Sequence, residues 1–570
     1  MNNPVPNTQV QQAAAASNIP DSFGQNLFEA DPFGRAMLQA YLPRDLFEHL
    51  LPHFTELGQL AGGTLDALAR EADQNPPVLS VRNRKGEDES SVRKHPSYVE
   101  LERMAYSKYG LAAMSHRPGV LGWKETMPPV AKYALTYLFV QAEFGLCCPV
   151  SMTDSLARTL RRYGDPQLVE QVLPQVTSLD FDELRQGAMF MTEQAAGSDV
   201  SATATQAVEE PDGRWRLYGD KWFCSNPDAG FAMVLARSED AQGLAGVSLF
   251  LLPRDLPDGS HNHYRVLRLK DKLGTRSMAS GEIRLEGAYA WLVGERGRGF
   301  QQMADMVNNS RLSNGMRAAG LMRRALAEAL YVARNRRAFG KRLIDMPLMQ
   351  RQLAKMLVSA EQARSVMFQT AVALAQADKG DAQARTLARI MTPLIKFRAC
   401  RDARKVTGDA MEVRGGCGYI EEWVEPRLMR DAHLGSIWEG TSNIVALDVM
   451  RAIRKNQCLP ALRALVERLL AEGEACPRAL RDLQRDSLEK VWTLAETAAA
   501  EDNSPLTRQA ASALYNTLSL AAMRWEARQP GLAARNQIAD LVLLHKLAPS
   551  DPCAVPAVRV DLAALLQDTP

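Results

Sequence analysis

The feature that most constrains the fold is a change of hydrophobic pattern in the middle of the chain. From about residue 25 to 186, apolar residues recur at helical intervals, broken by turns that contain proline. Between 187 and 290 the pattern changes to short alternating or wholly apolar runs, such as residues 214–218 and 245–253, which are typical of strands. Helical spacing returns from 291 to 455. We therefore predict an α+β fold, mainly α, in which the helical and β regions are separate domains.

The two ends of the chain lie outside this core pattern. Residues 1–24 are rich in Gln and Ala, and we predict a disordered tail there. Residues 456–570 continue the helical spacing as an extension, with one apolar face formed by Leu462, Leu465, Val466, Leu469 and Leu470. At 570 residues the chain is long enough to form several hydrophobic cores.

Composition excludes some classes of protein. The chain is 46% hydrophobic and 24% charged with a net charge of +2, so it has no overall bias toward nucleic acid or anionic membranes. Its eight cysteines include no CxxC pair, which predicts reduced cytoplasmic thiols and no metal site. The most apolar stretch, residues 133–150, contains Gln141 and Glu143 and predicts a buried helix rather than a membrane span. We see no secretory signal and expect a cytoplasmic protein.

A late motif, SIWEGTSNI at residues 436–444, places the Glu439 carboxylate between Trp438 and Gly440. A carboxylate walled by Trp and Ile loses hydration, which raises its pKa toward the range useful for a general base. Gly440 would let the backbone approach a flat ligand closely. Taken alone, a Glu before Gly is more often a solvated residue at a helix end, so the interpretation depends on other motifs.

Two upstream segments supply that support. The turn MTEQAAGSD at 191–199 has small residues, hydroxyls and free N–H groups that could hold a polar heterocycle or a thioester tail. The segment KWFCSN at 221–226 combines aromatic rings with a hydroxyl, which suits stacking on a ring while donating to its edge. Taken alone, the first segment is more typical of a loop between strands, and the second of a strand with a core aromatic.

Together with RRAFG at 336–340, and in this order, these motifs resemble the acyl-CoA dehydrogenase family over about residues 95–455. The family fold implies an N-terminal helical domain (25–186), a middle β domain (187–290) and a C-terminal four-helix bundle that carries the base (291–455). The helical extension (456–570) exceeds the common family length. The resemblance implies FAD-dependent α,β-dehydrogenation of an acyl-CoA thioester, within fatty acid metabolism.

The resemblance also implies roles for individual residues. Glu439 would be the catalytic base, and its backbone N–H with a flavin ribityl hydroxyl would bind the thioester carbonyl. Arg336 and Phe339 would contact the FAD of the neighbouring subunit. The implied FAD contacts are Met191, Thr192, Ser198, Phe223, Ser225, Arg336, Phe339, Gly415, Gly416, Thr441 and Asn443. The implied substrate contacts are Ser198, Arg311, Gly440 and Arg451.

The sequence also departs from the family pattern. Phe223 replaces a frequent Trp, Ser225 replaces the usual Thr, and Arg414 stands in the glycine-rich turn where an apolar residue is usual. Asn308 stands where a medium-chain-type enzyme carries Asp, which weakens the expectation of ordinary straight-chain CoA recognition. Trp438 beside the base favours short or branched acyl groups.

Several features are similar to the AidB-like branch, the alkylation-response flavoproteins: His95-Pro96, the Met-Thr-Glu motif, SIWEG and the helical extension. This implies a homotetramer with bound FAD and an electron-transfer flavoprotein as partner. The prototype of that branch also binds DNA through a basic C-terminal region. Here residues 456–570 carry 12 Lys and Arg against 14 Asp and Glu, which disfavours DNA binding.

Three functions therefore remain open at the level of the sequence. The first is an acyl-CoA dehydrogenase. The second is a DNA-binding stress-response flavoprotein with little dehydrogenase activity. The third is a flavin oxidase or monooxygenase that uses oxygen, since oxidases of this superfamily also have helical extensions.

Overall fold

The computed structural model describes residues 19–502, 504–549, 553 and 560–567, in which helical regions flank a β domain on both sides along the chain. The helices are α1 (Gly34–Tyr41), α2 (Arg44–Ala61), α3 (Thr64–Gln74), α4 (Pro96–Arg103), α5 (Pro129–Phe139), α6 (Cys147–Tyr163), α7 (Pro166–Val176), α8 (Gly299–Asn335), α9 (Pro347–Asp378), α10 (Ala382–Arg414), α11 (Glu425–Gly435), α12 (Ser442–Asn456), α13 (Cys458–Glu472), α14 (Arg481–Ala500), α15 (Thr507–Ala527), α16 (Arg535–Val542) and α17 (Leu562–Gln567).

The strands are β1 (Val78–Arg82), β2 (Asp88–Arg93), β3 (Gly187–Phe190), β4 (Gln206–Glu209), β5 (Trp215–Ser225), β6 (Phe231–Arg237), β7 (Val247–Pro253), β8 (Tyr264–Leu269), β9 (Ser280–Val293), β10 (Arg337–Ala338) and β11 (Lys341–Arg342). The predicted α+β class, mainly α, is confirmed, with helical domains before and after a β domain.

The N-terminal region is helical except for one hairpin that the helical pattern does not predict. Strands β1 and β2 pair antiparallel around a turn in which the Asn83 side-chain oxygen accepts hydrogen bonds from the backbone N–H groups of Lys85 and Glu87. Such Asx turns are a common way to reverse a chain. The polar stretch at residues 83–88 is therefore the tip of a hairpin.

The prediction of a disordered tail over residues 1–24 is wrong for residues 19–24. Residues 1–18 lie outside the described residues, but residues 19–24 pack on the protein body. The buried Ser22 hydroxyl donates to Glu328 at 2.7 Å, and the Gly24 N–H donates to the Gly62 carbonyl at 2.7 Å. A buried hydroxyl paired with a carboxylate fixes this segment.

The β domain is a closed ring of strands. β6, β4, β5, β9 and β7 pair in that order and β7 returns to β6, while β3 adds to β6 and β8 adds to β9. The interior is filled by side chains from alternating positions, such as Trp215 against Phe250 with their ring centroids 5.2 Å apart. Closure removes free edges in the ring and holds its outer loops rigid.

The second helical region is built on α8, α9 and α10, of 37, 32 and 33 residues. Gly299, the first residue of α8, lies close against β7. A Cβ atom at this position would be only 2.3 Å from the backbone carbon of Ser248. Helix α12 packs on α10. The segment between α11 and α12 carries the predicted base, so the bundle and the barrel together position it.

The C-terminal extension is fastened to the bundle by buried charges as well as by apolar contacts. Helix α15 packs on α9 and α10. Arg535 of α16 is fully buried and pairs with Glu361 of α9 and with Glu526 of α15, both at 2.5 Å. Glu361 also pairs with Arg364 at 2.5 Å. The extension is thus an integral part of the core. Among the described residues, no helix has the length and apolar character needed to cross a membrane.

We expect Arg535→Ala to destabilise the protein by about 3–5 kcal/mol, because it leaves the buried Glu526 without a cation and removes one of the two cations paired with Glu361. Thermal unfolding followed by circular dichroism measures the effect. The control is Arg528→Ala, which removes an exposed arginine at the end of α15. Equal unfolding temperatures for the two variants would show that the buried pairs contribute nothing.

Candidate active site

The predicted base lies in a short segment between α11 and α12 with an unusual backbone. Glu439 has φ +55° and Gly440 has φ +97°, so two consecutive residues occupy the left-handed region. For a residue with a side chain this costs about 1–3 kcal/mol. A Cβ at Gly440 would meet Ile444 at 3.2 Å, Val445 at 3.3 Å and Arg311 at 3.4 Å. Only glycine fits this position without displacement of its neighbours.

Two cations hold this segment by its carbonyl groups. The Arg311 Nε of α8 donates to the Glu439 carbonyl at 3.0 Å, and the Lys396 Nζ of α10 donates to the Gly440 carbonyl. We call Arg311 and Lys396 the carbonyl clamp. Burial lowers the pKa of Lys396 to about 8. Because the two cations come from different helices, the clamp forms only when α8 and α10 are correctly packed.

Asp448 of α12 completes the clamp from the other side. Its carboxylate pairs with Arg311 at 2.9 Å and with Arg389 of α10 at 2.7 Å. Arg451, predicted to contact substrate, is exposed and lies 4.0 Å from the same carboxylate. The Nε and Nη1 groups of Arg311 therefore both donate to protein acceptors, so Arg311 supports the backbone of the predicted base.

The Glu439 carboxyl group is withdrawn from water and incompletely paired. Its Oε2 atom is buried and has no hydrogen-bond partner among the described residues. Burial raises the pKa of Glu439, while Arg311, a hydrogen bond from Ser310 and the positive charge of Lys396 lower it. The raised pKa and the free oxygen are what a general base requires.

An aromatic wall stands beside the base. The Trp438 indole N–H donates to the Asn314 side-chain oxygen, and its ring stacks on Phe144 with centroids 6.0 Å apart. The Arg317 guanidinium lies 4.6 Å from the Trp438 centroid and 5.4 Å from that of Phe144. This wall closes one side of the site.

The β domain contributes a second group of predicted residues. The Trp222 N–H donates to the Thr192 carbonyl at 2.8 Å, which brings the 191–199 turn beside the 221–226 strand. Below them the fully buried Lys221 pairs with Glu193 at 2.6 Å. Glu193 in turn accepts from the backbone of Ala204 and Thr205, so the turn is anchored from within.

Several predicted side chains in the same two segments as the Lys221–Glu193 pair are exposed or half-buried. Phe223 is 54% exposed, Met191 and Ser225 are half-buried, and Ser198 is exposed. The Ser225 hydroxyl lies 3.5 Å from that of Ser280 on β9, and Lys272 donates to the same Ser280 hydroxyl at 3.2 Å. Aromatic rings and hydroxyls therefore share one edge of the barrel.

Cys148 at the start of α6 connects the barrel edge with the base. Burial raises the pKa of its thiol, which also interacts with Arg317, Glu439 and Lys272. Lys272 begins the 272–277 loop, whose Thr275 N–H donates to Asp431 of α11 at 2.7 Å. Burial raises the pKa of Asp431 to about 7. The barrel loop thus docks on the helix that leads into the catalytic segment.

A third group of predicted residues lies at the far end of α8. Arg336 donates from Nη1 to the Arg414 carbonyl at 2.8 Å, directly before Gly415. Phe339 is 97% exposed, and Cβ atoms at Gly416 would meet nothing within 4 Å. Arg336, Phe339, Gly415 and Gly416 therefore gather at an open surface, and none of the four forms a hydrogen bond or ion pair with Glu439.

The structure places Thr441 and Asn443 at the exposed start of α12. It also reveals residues that the sequence analysis missed: Phe144, Asn314, Arg317, Lys396 and Asp448. Asn314 lies four residues after Ser310, and Arg317 lies three residues after Asn314. This helical spacing could have indicated that the three residues share one face of α8. Lys396 and Asp448 carry no local signal, because their partners are distant in sequence.

Three domain families match the chain. The Adaptive response protein AidB N-terminal domain covers residues 18–183, the acyl-CoA dehydrogenase middle domain covers 188–288, and the acyl-CoA dehydrogenase C-terminal domain covers 297–454. The chain belongs to the acyl-CoA dehydrogenase family. By that membership it is an FAD-dependent oxidoreductase that acts on acyl-CoA. The predicted resemblance to the AidB-like branch is also confirmed.

Individual relatives agree with this assignment. The putative acyl-CoA dehydrogenase AidB of Escherichia coli K12 is 35% identical over 438 residues, 74% of this chain and 78% of that protein. Acyl-CoA dehydrogenase family member 11 of Caenorhabditis elegans is 30% identical over 483 residues, 81% of this chain and 78% of that protein. The structure of C. elegans ACDH-11 in complex with C11-CoA superimposes with a TM-score of 0.86 at 26% identity, covering 93% of each chain. The Bd2924 apo-form gives 0.81 at 31% identity, covering 90% of this chain and 99% of that one.

The residues present fit a flat, hydrogen-bonding cofactor. The barrel edge offers the exposed Phe223 ring and the Ser225 hydroxyl, and the far end of α8 offers an arginine beside open glycines. Aromatic stacking suits a flavin ring, and a guanidinium beside glycines with open space suits a pyrophosphate.

We expect Lys396→Met to shift the acidic limb of the pH–rate profile to higher pH. Glu439 accepts a proton only when ionised, so the rate of flavin reduction falls as pH drops through its raised pKa. The positive charge of Lys396 lowers that pKa, and removing it raises the pKa further. Stopped-flow reduction from pH 5 to 9 measures the limb, with Lys405→Met, an exposed lysine paired to Asp409, as control. An unmoved limb in Lys396→Met would disprove the coupling.

Proposed function

We propose that the protein catalyses the α,β-dehydrogenation of an acyl-CoA thioester, with Glu439 as the base that removes the α-proton. The observation that carries the proposal is the buried, unpartnered Oε2 of Glu439, held in a left-handed backbone by the carbonyl clamp. A carboxylate oxygen without a hydrogen-bond partner among the described residues is available for a substrate proton.

The clamp explains how the base keeps its geometry. Arg311 and Lys396 bind the carbonyl groups of Glu439 and Gly440, which holds the backbone that follows the Glu439 N–H and so keeps that N–H in a fixed orientation. An N–H held in this way can donate to a thioester oxygen as negative charge develops there. We therefore assign Arg311 to positioning of the base rather than to binding of CoA.

FAD, when bound, accepts the hydride from the β-carbon. For its ring we propose the barrel edge, with Met191, Thr192, Phe223 and Ser225. For its pyrophosphate and adenosine we propose the surface formed by Arg336, Phe339, Gly415 and Gly416, and for further contacts Thr441 and Asn443. The rigidity of the barrel edge, anchored by the buried Lys221–Glu193 pair, would hold the ring at a fixed distance from the base.

For the substrate we propose that the pantetheine arm passes the exposed Ser198 and Gly440, with Arg451 near the entrance. ACDH-11, whose structure was solved in complex with C11-CoA, supports a CoA thioester as the ligand class. In this chain the Trp438–Phe144 stack narrows the acyl side of the site, which favours short acyl groups. A role in fatty acid metabolism and a cytoplasmic location belong to the same proposal.

We also propose a homotetramer. Large apolar side chains are exposed in the segments that follow α8 and α10, which carry the proposed adenosine surface: Phe339 at 97%, Leu348 at 83% and Tyr419 at 79% exposed. Large exposed apolar groups mark interaction surfaces, and a second subunit would cover them while completing the cofactor site. Electrons would leave to an electron-transfer flavoprotein, and slow reoxidation in air would distinguish this acceptor from oxygen.

Duplex DNA is not included in the proposal, because residues 456–570 carry 12 Lys and Arg against 14 Asp and Glu and so have no net positive charge. Several of its arginines pair within the protein: Arg463 with Glu467 and Glu489, Arg468 with Glu472, Arg485 with Asp482, Arg524 with Asp540, and Arg535 with Glu361 and Glu526. Binding to phosphates would have to break these pairs.

We expect Glu439→Gln to abolish flavin bleaching by butyryl-CoA and isovaleryl-CoA under anaerobic conditions while FAD stays bound, since the amide cannot accept the α-proton. Loss of about two to four orders of magnitude in rate is expected for removal of a general base. The control is Glu472→Gln, an exposed carboxylate of α13. Normal bleaching by Glu439→Gln would refute the assignment of the base.

We expect Phe339→Asp to lower both the oligomeric state and the FAD content, because it places a charge on the proposed subunit contact. Light scattering measures the mass and the ratio of flavin to protein absorbance measures FAD. Val208→Asp, which changes an apolar side chain 52% exposed on β4, is the matched control. A Phe339→Asp tetramer with full FAD would contradict the proposed interface.

A further inference from the structure

One buried arginine in the site lacks the partner that every comparable arginine has. Six arginine side chains are fully buried in the part of the chain that the structure describes. Five of them have a carboxylate oxygen within 2.5–3.6 Å: Arg323 (Asp31), Arg364 (Asp31), Arg414 (Glu328), Arg524 (Asp540) and Arg535 (Glu526). The sixth, Arg317, forms no ion pair with a described carboxylate within 4.0 Å.

The surroundings of Arg317 offset its charge only in part. Its Nε makes only a long bond of 3.4 Å to the Ser313 carbonyl, and its Nη1 has no hydrogen-bond partner among the described residues. The nearby groups are the Trp438 and Phe144 rings, the thiols of Cys147 and Cys148, and the Glu439 carboxyl group, whose pKa Arg317 lowers without forming an ion pair within 4.0 Å. A guanidinium buried without an ion pair carries a cost in stability. Such a cost points to an anion that binds there.

A second free donor lies beside it. The Asn314 side-chain oxygen accepts a hydrogen bond from the Trp438 indole N–H, but the Asn314 Nδ2 is buried without a partner in the described structure. Ser310, Asn314 and Arg317 share one face of α8 at spacings of four and three residues, and that face meets Trp438 and Glu439. The donors therefore begin next to the base and continue along the helix away from it.

We propose that Arg317 binds a carboxylate at the far end of the acyl group, with Asn314 Nδ2 donating to the same group. The preferred substrate class is then a short acyl-CoA that carries a terminal carboxylate, the monothioester of a dicarboxylic acid. This inference rests on the proposed function, because it places the acyl group between Glu439 and Arg317.

Charge and distance both favour a carboxylate on a short chain. A guanidinium binds a carboxylate through two parallel, charge-assisted hydrogen bonds, which are about twice as strong as neutral ones. Ser310 and Arg317 are seven residues apart on α8, roughly 10 Å along the helix axis, which a short acyl chain can span. An alkyl end at this position would leave Arg317 Nη1 and Asn314 Nδ2 buried and unpaired.

Binding is tested apart from turnover by using the FAD-loaded protein with Glu439→Gln in all variants. Changes in flavin absorbance report the dissociation constants of glutaryl-CoA and adipyl-CoA, and of the neutral, length-matched pentanoyl-CoA and hexanoyl-CoA. We expect the carboxylates to bind about tenfold more tightly or better, as one charge-assisted pair allows. Arg317→Met should remove this preference by weakening only the carboxylates, and Asn314→Val should reduce it in part.

Stability separates a ligand site from a structural role. Removal of Arg317 breaks no ion pair. In the absence of ligand, the Arg317→Met variant should therefore unfold at the same temperature as the parent protein or at a higher one. A structural arginine would lower it, as expected for Arg535→Ala. Arg468→Met, an exposed arginine of α13, is the control and should change neither binding nor stability.

Three results would overturn the inference. They are equal affinity for charged and neutral thioesters, an equal loss of both in Arg317→Met, and equally tight, Arg317-dependent binding of 5-hydroxypentanoyl-CoA, which would mean that a neutral acceptor suffices. Failure of the proposed function is seen separately with the native Glu439. If butyryl-CoA bleaches the flavin without any carboxylate preference, only the Arg317 inference fails. If glutaryl-CoA binds selectively but no thioester bleaches the flavin, only the dehydrogenase proposal fails.

Discussion

The site depends on the carbonyl clamp more than on any other interaction. Glu439 and Gly440 occupy backbone conformations that are unfavourable for most residues, and they persist because Arg311 and Lys396 bind their carbonyl groups. Asp448 holds Arg311 from a third helix. Helices α8, α10 and α12 must therefore all be in place before the base has its geometry, which couples the packing of the bundle to the chemistry of the site.

The same cations set the protonation of the base. Burial alone would raise the pKa of Glu439 and favour its neutral form, whereas Arg311 and Lys396 oppose that shift. The base can thus lose its hydration while the two cations limit the rise of its pKa. Arg317 adds positive charge on the acyl side of the same carboxylate, so a bound anion at Arg317 would also change the field that Glu439 experiences.

Buried ion pairs also explain two unusual features of the chain. Arg414, out of place in a glycine-rich turn, is buried between Glu328 and Glu425, and its position fixes the carbonyl that Arg336 uses. Arg535 fastens the C-terminal extension to the bundle in the same way. Such pairs add little net stability compared with apolar packing, but they define which surfaces meet, because a misplaced charge would be left unpaired.

The sequence by itself determined the order of the domains, the fold class and the segment that carries Glu439. Those features are recorded locally, in hydrophobic spacing and in motifs a few residues long. Only the tertiary structure decided what acts on the segment. Lys396 and Asp448 look like ordinary helix residues until folding brings them to Glu439 and Arg311. The missing partner of Arg317 emerged in the same way, because a pair or its absence is a property of packing between distant segments.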